Sequence, residues 1–333
     1  MWNLPRDRRL AVAAAVAVLA VAGSVLIARS LAGRDHGIDG IDVSAIARPA
    51  AGTWLGSWVG SRYGHSLPQR ERAVLELESK LGRKLAIDHT YVPWGTSIGW
   101  QPAWDLAGGR IPMISFGNGG DTREVAAGRH DAYLRSLAEQ VRVLGRPVLL
   151  RYAYEMDGDG NRGWVRSGPE YVAAWRHVRR LFDGVGARAA WVWAPNASAF
   201  GDSARVQRYW PGDGEVDWIG ADGYNWYGCR DRTDWRSFDQ IFQPFYDWGM
   251  ARHKPLMVAE TGTTEDRADP SRKRAWYTEA AAALRGMPAM RAVVYFDSNN
   301  TCPWWVDTTP QSLKGFRALA NSPSLAAVPP TGE

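Results

Sequence analysis

The sequence holds only two cysteines and six histidines, scattered over 333 residues. So few metal ligands, none at ligand spacing, exclude a structural zinc site, and a disulfide-stapled scaffold is excluded as well. No Gly-rich phosphate loop follows the first apolar run, which removes the main signature of a nucleotide-binding sheet. Lys and Arg exceed Asp and Glu by only five, and the arginines are spread along helical stretches such as Arg166 to Arg188. A solvated exterior explains them, and no basic patch with base-stacking order points to nucleic acid. Past residue 28 no long hydrophobic run occurs. No cofactor is implied.

What is abundant is tryptophan, eighteen in all, beside twelve tyrosines. Large flat side chains with one polar tip suit the apolar faces of sugar rings, and packing is the plainer use for them. At the N-terminus, Arg6, Arg8 and Arg9 precede an uncharged run from Leu10 to Ala28, about 19 residues, which is long enough to cross a bilayer as a helix. Residues 1–31 are therefore expected to be a signal peptide or, because the run exceeds the usual 7–15 residue core, a membrane anchor. Its N-terminal arginines would stay in the cytoplasm and put the remaining chain outside, extracellular or at the cell surface. Residues 32–52 then form a linker, 53–321 a catalytic domain and 322–333 a flexible tail.

From Thr53 onward, short apolar runs alternate with amphipathic helical stretches. Strands are predicted at Trp54 to Val59, Leu85 to Val92, Ile111 to Phe116, Val148 to Tyr154, Ala189 to Ala194, Val216 to Ala221, Leu256 to Ala259 and Ala292 to Phe296. Eight such repeats predict an α/β fold, a (β/α)8 TIM barrel, with an open doubly wound sheet as the alternative. In a barrel the chemistry lies at the C-terminal ends of the strands. Strand four runs into Tyr154-Glu155 and strand seven into Ala259-Glu260. A carboxyl group there is costly unless paired or used, and two facing one pocket are what glycosidic cleavage needs: an acid at the leaving oxygen and a carboxylate across the anomeric carbon.

The remaining strand ends offer Arg151, Tyr154, His89, Asn196 and Tyr224 as polar groups, with Trp164, Trp226, Trp304 and Trp305 as sugar platforms. His89 is as readily a satisfied buried histidine. Tyr224 is placed to donate to Glu260. Cys229 and Cys302 fall in the loops after strands six and eight, on one rim, where an oxidised chain can bridge them; two free thiols are the alternative.

Five segments together resemble glycoside hydrolase family 26: Ala127 to Tyr133, Arg151 to Gly158, Val192 to Asn196, Asp217 to Trp226 and Ala259 to Gly262. The resemblance spans about Gly52 to Ala320 and implies a (β/α)8 barrel, a monomer without cofactor, and retaining hydrolysis of a β-linked polysaccharide, β-mannan or β-glucan. It implies Glu155 as acid/base, Glu260 as nucleophile and Tyr224 as the nucleophile's partner. The chain departs from the family at Tyr154, where a histidine is usual, and at Asp157, where an asparagine is usual, so mannan specificity does not carry over. A transglycosylase, or a carbohydrate-binding surface protein that lost turnover, would share the same barrel.

Overall fold

Eight parallel strands close into a ring in chain order, β1 pairing with both β2 and β8. The computed structural model describes residues 51–325 except 65, together with residue 49. The strands are β1 (Trp54–Val59), β2 (Ile87–Tyr91), β3 (Ile111–Phe116), β4 (Val148–Tyr152), β5 (Ala189–Trp193), β6 (Trp218–Asn225), β7 (Leu256–Thr263) and β8 (Met290–Asp297). Between them lie α1 (Leu67–Leu81), α2 (Gln101–Ala107), α3 (Thr122–Ala126), α4 (Asp131–Val143), α5 (Gly168–Val185), α6 (Ser203–Gln207), α7 (Phe238–Met250) and α8 (Arg272–Arg285), with α9 (Pro310–Ala320) last. The (β/α)8 barrel expected from the alternation is the fold observed.

The strands read as continuous apolar runs because both of their faces are buried. Successive residues fall into two separate cores. Trp54, Met113, Leu149, Met257 and Val294 belong to a cluster made of strand residues and their immediate flanks, which fills the barrel. Their neighbours Leu55, Ile114, Leu150, Val258 and Val293 join the larger cluster under the helices. Trp54 and Trp218 stack within the barrel at 5.9 Å between ring centroids. Helix starts follow their caps: the Ser167 hydroxyl accepts from Glu170 N ahead of Pro169, and the Thr309 hydroxyl from Ser312 N ahead of Pro310. Gly186 ends α5 with φ 77°, a left-handed residue that glycine adopts without penalty.

Two strands run longer than their apolar patterns. β6 and β7 stay paired through Asp222↔Glu260, Tyr224↔Gly262 and Asn225↔Thr263, after an irregularity between Ala221 and Asp222. Glu260 therefore lies inside a strand, whereas Glu155 follows the end of one. Hydrophobicity marks where a strand enters the core; backbone pairing carries it on to the polar mouth. At the other end, Thr53 N donates to Ser324 O at 2.8 Å and Leu325 is fully buried, so packed chain continues past Asn321, where the tail was expected to start. The Leu10 to Ala28 run and the residues after 325 lie outside the described residues.

Candidate active site

At the mouth of the barrel a cleft of about 1690 Å³ is lined by Glu155 and Glu260 together. β4 ends at Tyr152, and the chain then takes two left-handed residues that are not glycine, Ala153 (φ 47°) and Glu155 (φ 51°). Each costs about 1–2 kcal/mol. Ala153 N donates to Phe116 O at 2.8 Å and Glu155 N to Ala194 O at 2.9 Å, while Glu155 O accepts from Asn161 Nδ2 at 2.6 Å. Neighbouring strands thus hold the turn that presents Glu155 to the cleft. Such strain is commonly kept where a side chain must be aimed.

The two carboxyl groups have different surroundings. Glu155 is half-buried, and among the described residues its carboxyl group accepts no hydrogen bond. Burial first, then the charge of Glu260, raises its pKa to about 7, with Asp157 adding and Arg151 opposing. Glu260, 6% exposed, accepts from Arg151 Nη2 at one oxygen and from the Tyr224 hydroxyl at the other, the latter at 2.6 Å. Both are charge-matched or short contacts that hold the group in place.

Arg151 is the hub. Fully buried, it grips Asp222 through Nη1 at 2.7 and 2.8 Å, donates from Nε to the Ser115 hydroxyl at 2.7 Å, and lies 4.1 Å from the centroid of the Tyr154 ring. Its guanidinium serves two carboxyl groups. Burial, against the pull of Arg151 and aided by Glu260, holds Asp222 well above the usual carboxylate range. Ser115 also meets His89 Nε2 at 2.7 Å, and burial followed by the charges of Arg151 and Arg70 pushes the His89 pKa well down, so its ring stays neutral. Tyr154, in the position where a histidine was expected, is raised in pKa by burial and by Glu260, and remains a neutral phenol.

Tyr154, Asn196, Tyr224, Trp226 and Trp304 line the cleft with the two glutamates. Arg151 and His89 do not; they are fully buried behind its wall. Trp164 and Trp305, expected as sugar platforms, are not on the cleft either. Trp164 packs against the outer core and its carbonyl accepts from Thr122, while Trp305 faces a separate small pocket under the Arg62 guanidinium. Trp304 turns inward because Lys273 Nζ holds the Trp305 carbonyl at 2.8 Å and Asp297 accepts from Val306 N at 2.8 Å. Even Trp304 is only 1% exposed, packed between Tyr224 and Trp226 at 4.9 and 5.0 Å. Among the described residues seven tryptophans are buried below 2% exposure and three line the cleft, so tryptophan here serves packing first.

Trp58 and Phe296, at the ends of β1 and β8, also line the cleft; strand-end position was the signal that would have found them. Ser115 had none, since a serine within an apolar strand looks like any other. A second correction concerns the arginines. Arg162, Arg166, Arg205, Arg208, Arg230 and Arg236 all line the cleft, because separate loops converge there although their positions are dispersed in the sequence. Cys229 and Cys302 are bridged, with Cα atoms 5.9 Å apart, tying the loops after β6 and β8 beside Trp304.

No family model matches the chain. Endoglucanase H of Acetivibrio thermocellus is 30% identical over 280 residues, 80% of this chain and 30% of that protein. A Beta-1,3-xylanase of Alcaligenes sp. is 26% identical over 150 residues, 45% of this chain and 30% of the xylanase. The chain thus spans under a third of the length of either relative. Among solved structures, the catalytic domain of the family 26 endo-β-1,4-mannanase of Bacillus sp. JAMB-750 superposes with a TM-score of 0.64 at 17% identity, over 83% of this chain and 88% of that one. The fold is that of the glycoside hydrolase family 26 catalytic domains, and the resemblance to that family holds for this chain.

Proposed function

We propose that the chain is a retaining glycosidase that cleaves a β-linked polysaccharide by double displacement, with Glu155 as acid/base and Glu260 as nucleophile. One observation carries this reading: two carboxyl groups share a cleft in different surroundings, Glu155 without a donor and raised to about 7, Glu260 held by Arg151 and Tyr224. Glu260 attacks the anomeric carbon while Glu155 protonates the departing glycosidic oxygen. The covalent glycosyl-enzyme forms on Glu260. Glu155, now ionised, takes a proton from water, which attacks the same carbon and releases the sugar with its original configuration. Arg151 and Tyr224 steady the charge on Glu260 before attack and after departure.

The names of the relatives suggest which polymers to try: a β-1,4-glucan, a β-1,4-mannan and a β-1,3-xylan. Reducing ends released from one of these by the chain, and not by the Glu260→Ala variant, would support the reading. Silence on every polymer, with no trapped intermediate, would count against it.

Residues 1–31 are proposed as the export signal or anchor of an extracellular enzyme. The Arg6 to Arg9 flank and the apolar run support this, and so does the Cys229–Cys302 bridge, since such bridges persist in oxidising compartments. Mature chains starting near Gly33 and free in the medium would indicate a cleaved signal rather than an anchor.

A further inference from the structure

The arginines of the cleft are not spread evenly around its mouth. Trp58, Phe296 and Trp304 come from β1, β8 and the loop after β8, whereas the six arginines come from the loops after β4, β5 and β6. In a closed ring of eight strands, β4 and β5 stand across from β8 and β1. The six arginines thus occupy the rim over β4 to β6, interleaved there with Tyr154, Tyr209 and Trp226.

Three of those arginines are already engaged by carboxylates: Arg162 with Asp159, Arg166 with Asp121 and Arg205 with Asp157. Arg208, Arg230 and Arg236 have no carboxylate partner among the described residues. Arg151 already serves Asp222 and Glu260, and Arg230 lies near enough to Glu155 for its charge to oppose the rise in that group's pKa, while Arg208 and Arg236 have no such role there. Arg230 is the most defined of the three. Its guanidinium carbon lies 3.3 Å from the centroid of the Trp226 ring, on a loop fixed by the adjacent Cys229–Cys302 bridge. A guanidinium over an aromatic face can still offer N–H groups in the fork that matches a carboxylate. All three side chains are exposed at the rim, where a carboxylate of a bound polymer can reach them.

We infer that the cleft accepts a β-linked polysaccharide bearing carboxylate groups, which Arg230, with Arg208 and Arg236, receives on the rim over β5 and β6. This inference rests on the glycosidase reading and narrows its substrate class. Neutral residues of the polymer occupy the reaction centre. Acidic residues, or acidic substituents, face the arginines.

Two matched pairs of polymers test it: β-1,4-mannan and mixed-linkage β-glucan, each beside a derivative partly oxidised at C6 to the carboxylate. Binding is read with the Glu260→Ala protein by affinity electrophoresis, and turnover with the intact protein by reducing ends. The acidic member of a pair should bind about tenfold tighter at low salt, with the advantage shrinking in about 0.5 M NaCl. Arg230→Gln should remove a few-fold of that advantage, Arg230→Lys should restore it in part, and the triple Arg208, Arg230 and Arg236→Gln variant should abolish it. A control variant with Arg135, Arg142 and Arg285 on the helical exterior changed to Gln should keep it. Equal binding within each pair, an advantage that survives the triple variant, or one lost equally in the control would overturn the inference. Failure of the glycosidase reading appears separately, as no reducing ends from any polymer, and leaves the binding comparison decisive for the substrate class.

Discussion

Glu155 and Glu260 open into one cleft from strands three apart in the ring, and the backbone treats them in contrary ways. Glu260 lies within a strand that β6 continues to pair, so its side chain is fixed by the sheet and by two donors. Glu155 hangs beyond a strand end on a left-handed turn, half-buried and without a hydrogen bond to its carboxyl group among the described residues. The group held rigidly by charge and hydrogen bonds is suited to attack one carbon. The group held by its backbone alone can give up and regain a proton without breaking a paired network. Secondary structure separates the surroundings of the two groups before any substrate arrives.

Removing Glu260 should break this contrast most severely. Glu260→Ala should lower kcat by on the order of 10⁴-fold or more on every substrate, because no covalent intermediate can form. Glu155→Ala should lower turnover of polysaccharide about 10²- to 10⁴-fold. It should spare the first step on aryl glycosides with good leaving groups, so that a burst of phenol precedes a slow steady state in stopped-flow traces. A Tyr224→Phe variant loses one charge-assisted hydrogen bond and should fall about 10- to 100-fold in kcat/KM, with thermal unfolding little changed. Reduction of the Cys229–Cys302 bridge, which spans a sequence separation of 73, should cost about 4 kcal/mol of stability, read by denaturant unfolding with and without reductant.

The smallest effect probes Asp157. Glu155 must be protonated to act as acid and its pKa is raised to about 7, so kcat/KM should be full below that value and decline as pH rises through it. Asp157 contributes to the raising. Asp157→Asn should therefore move the alkaline limb of the pH profile to lower pH, and a limb that stays in place or moves upward would show that Asp157 does not act on Glu155.

The sequence made the barrel legible because strand and helix periodicities differ and eight apolar runs alternated with helical ones. Glu155, Glu260 and Tyr224 were legible because each closes or follows such a run. The inward or outward turn of a side chain was not. Trp304 and Trp305 are adjacent and chemically identical, and only the anchoring of the loop by Lys273 and Asp297 sends one to the cleft and the other to a separate pocket. His89 is the buried histidine that the sequence allowed as an alternative to a ligand, in contact with Ser115, whose other contact, with Arg151, depends on register between β3 and β4. The basic rim of the cleft was hidden for a related reason. Arg162, Arg208 and Arg236 are dozens of residues apart, and only closure of the ring gathers them.

The assignment of Glu155 and Glu260 is tested most directly by azide rescue of the two alanine variants, with the anomeric configuration of the product read by NMR. With Glu155 removed, azide should attack the glycosyl-enzyme on Glu260 and give the β-glycosyl azide. With Glu260 removed, azide should take its place on the opposite face and give the α-glycosyl azide. The reverse pair of anomers would exchange the two roles, and α products from both variants would contradict a double displacement at this site.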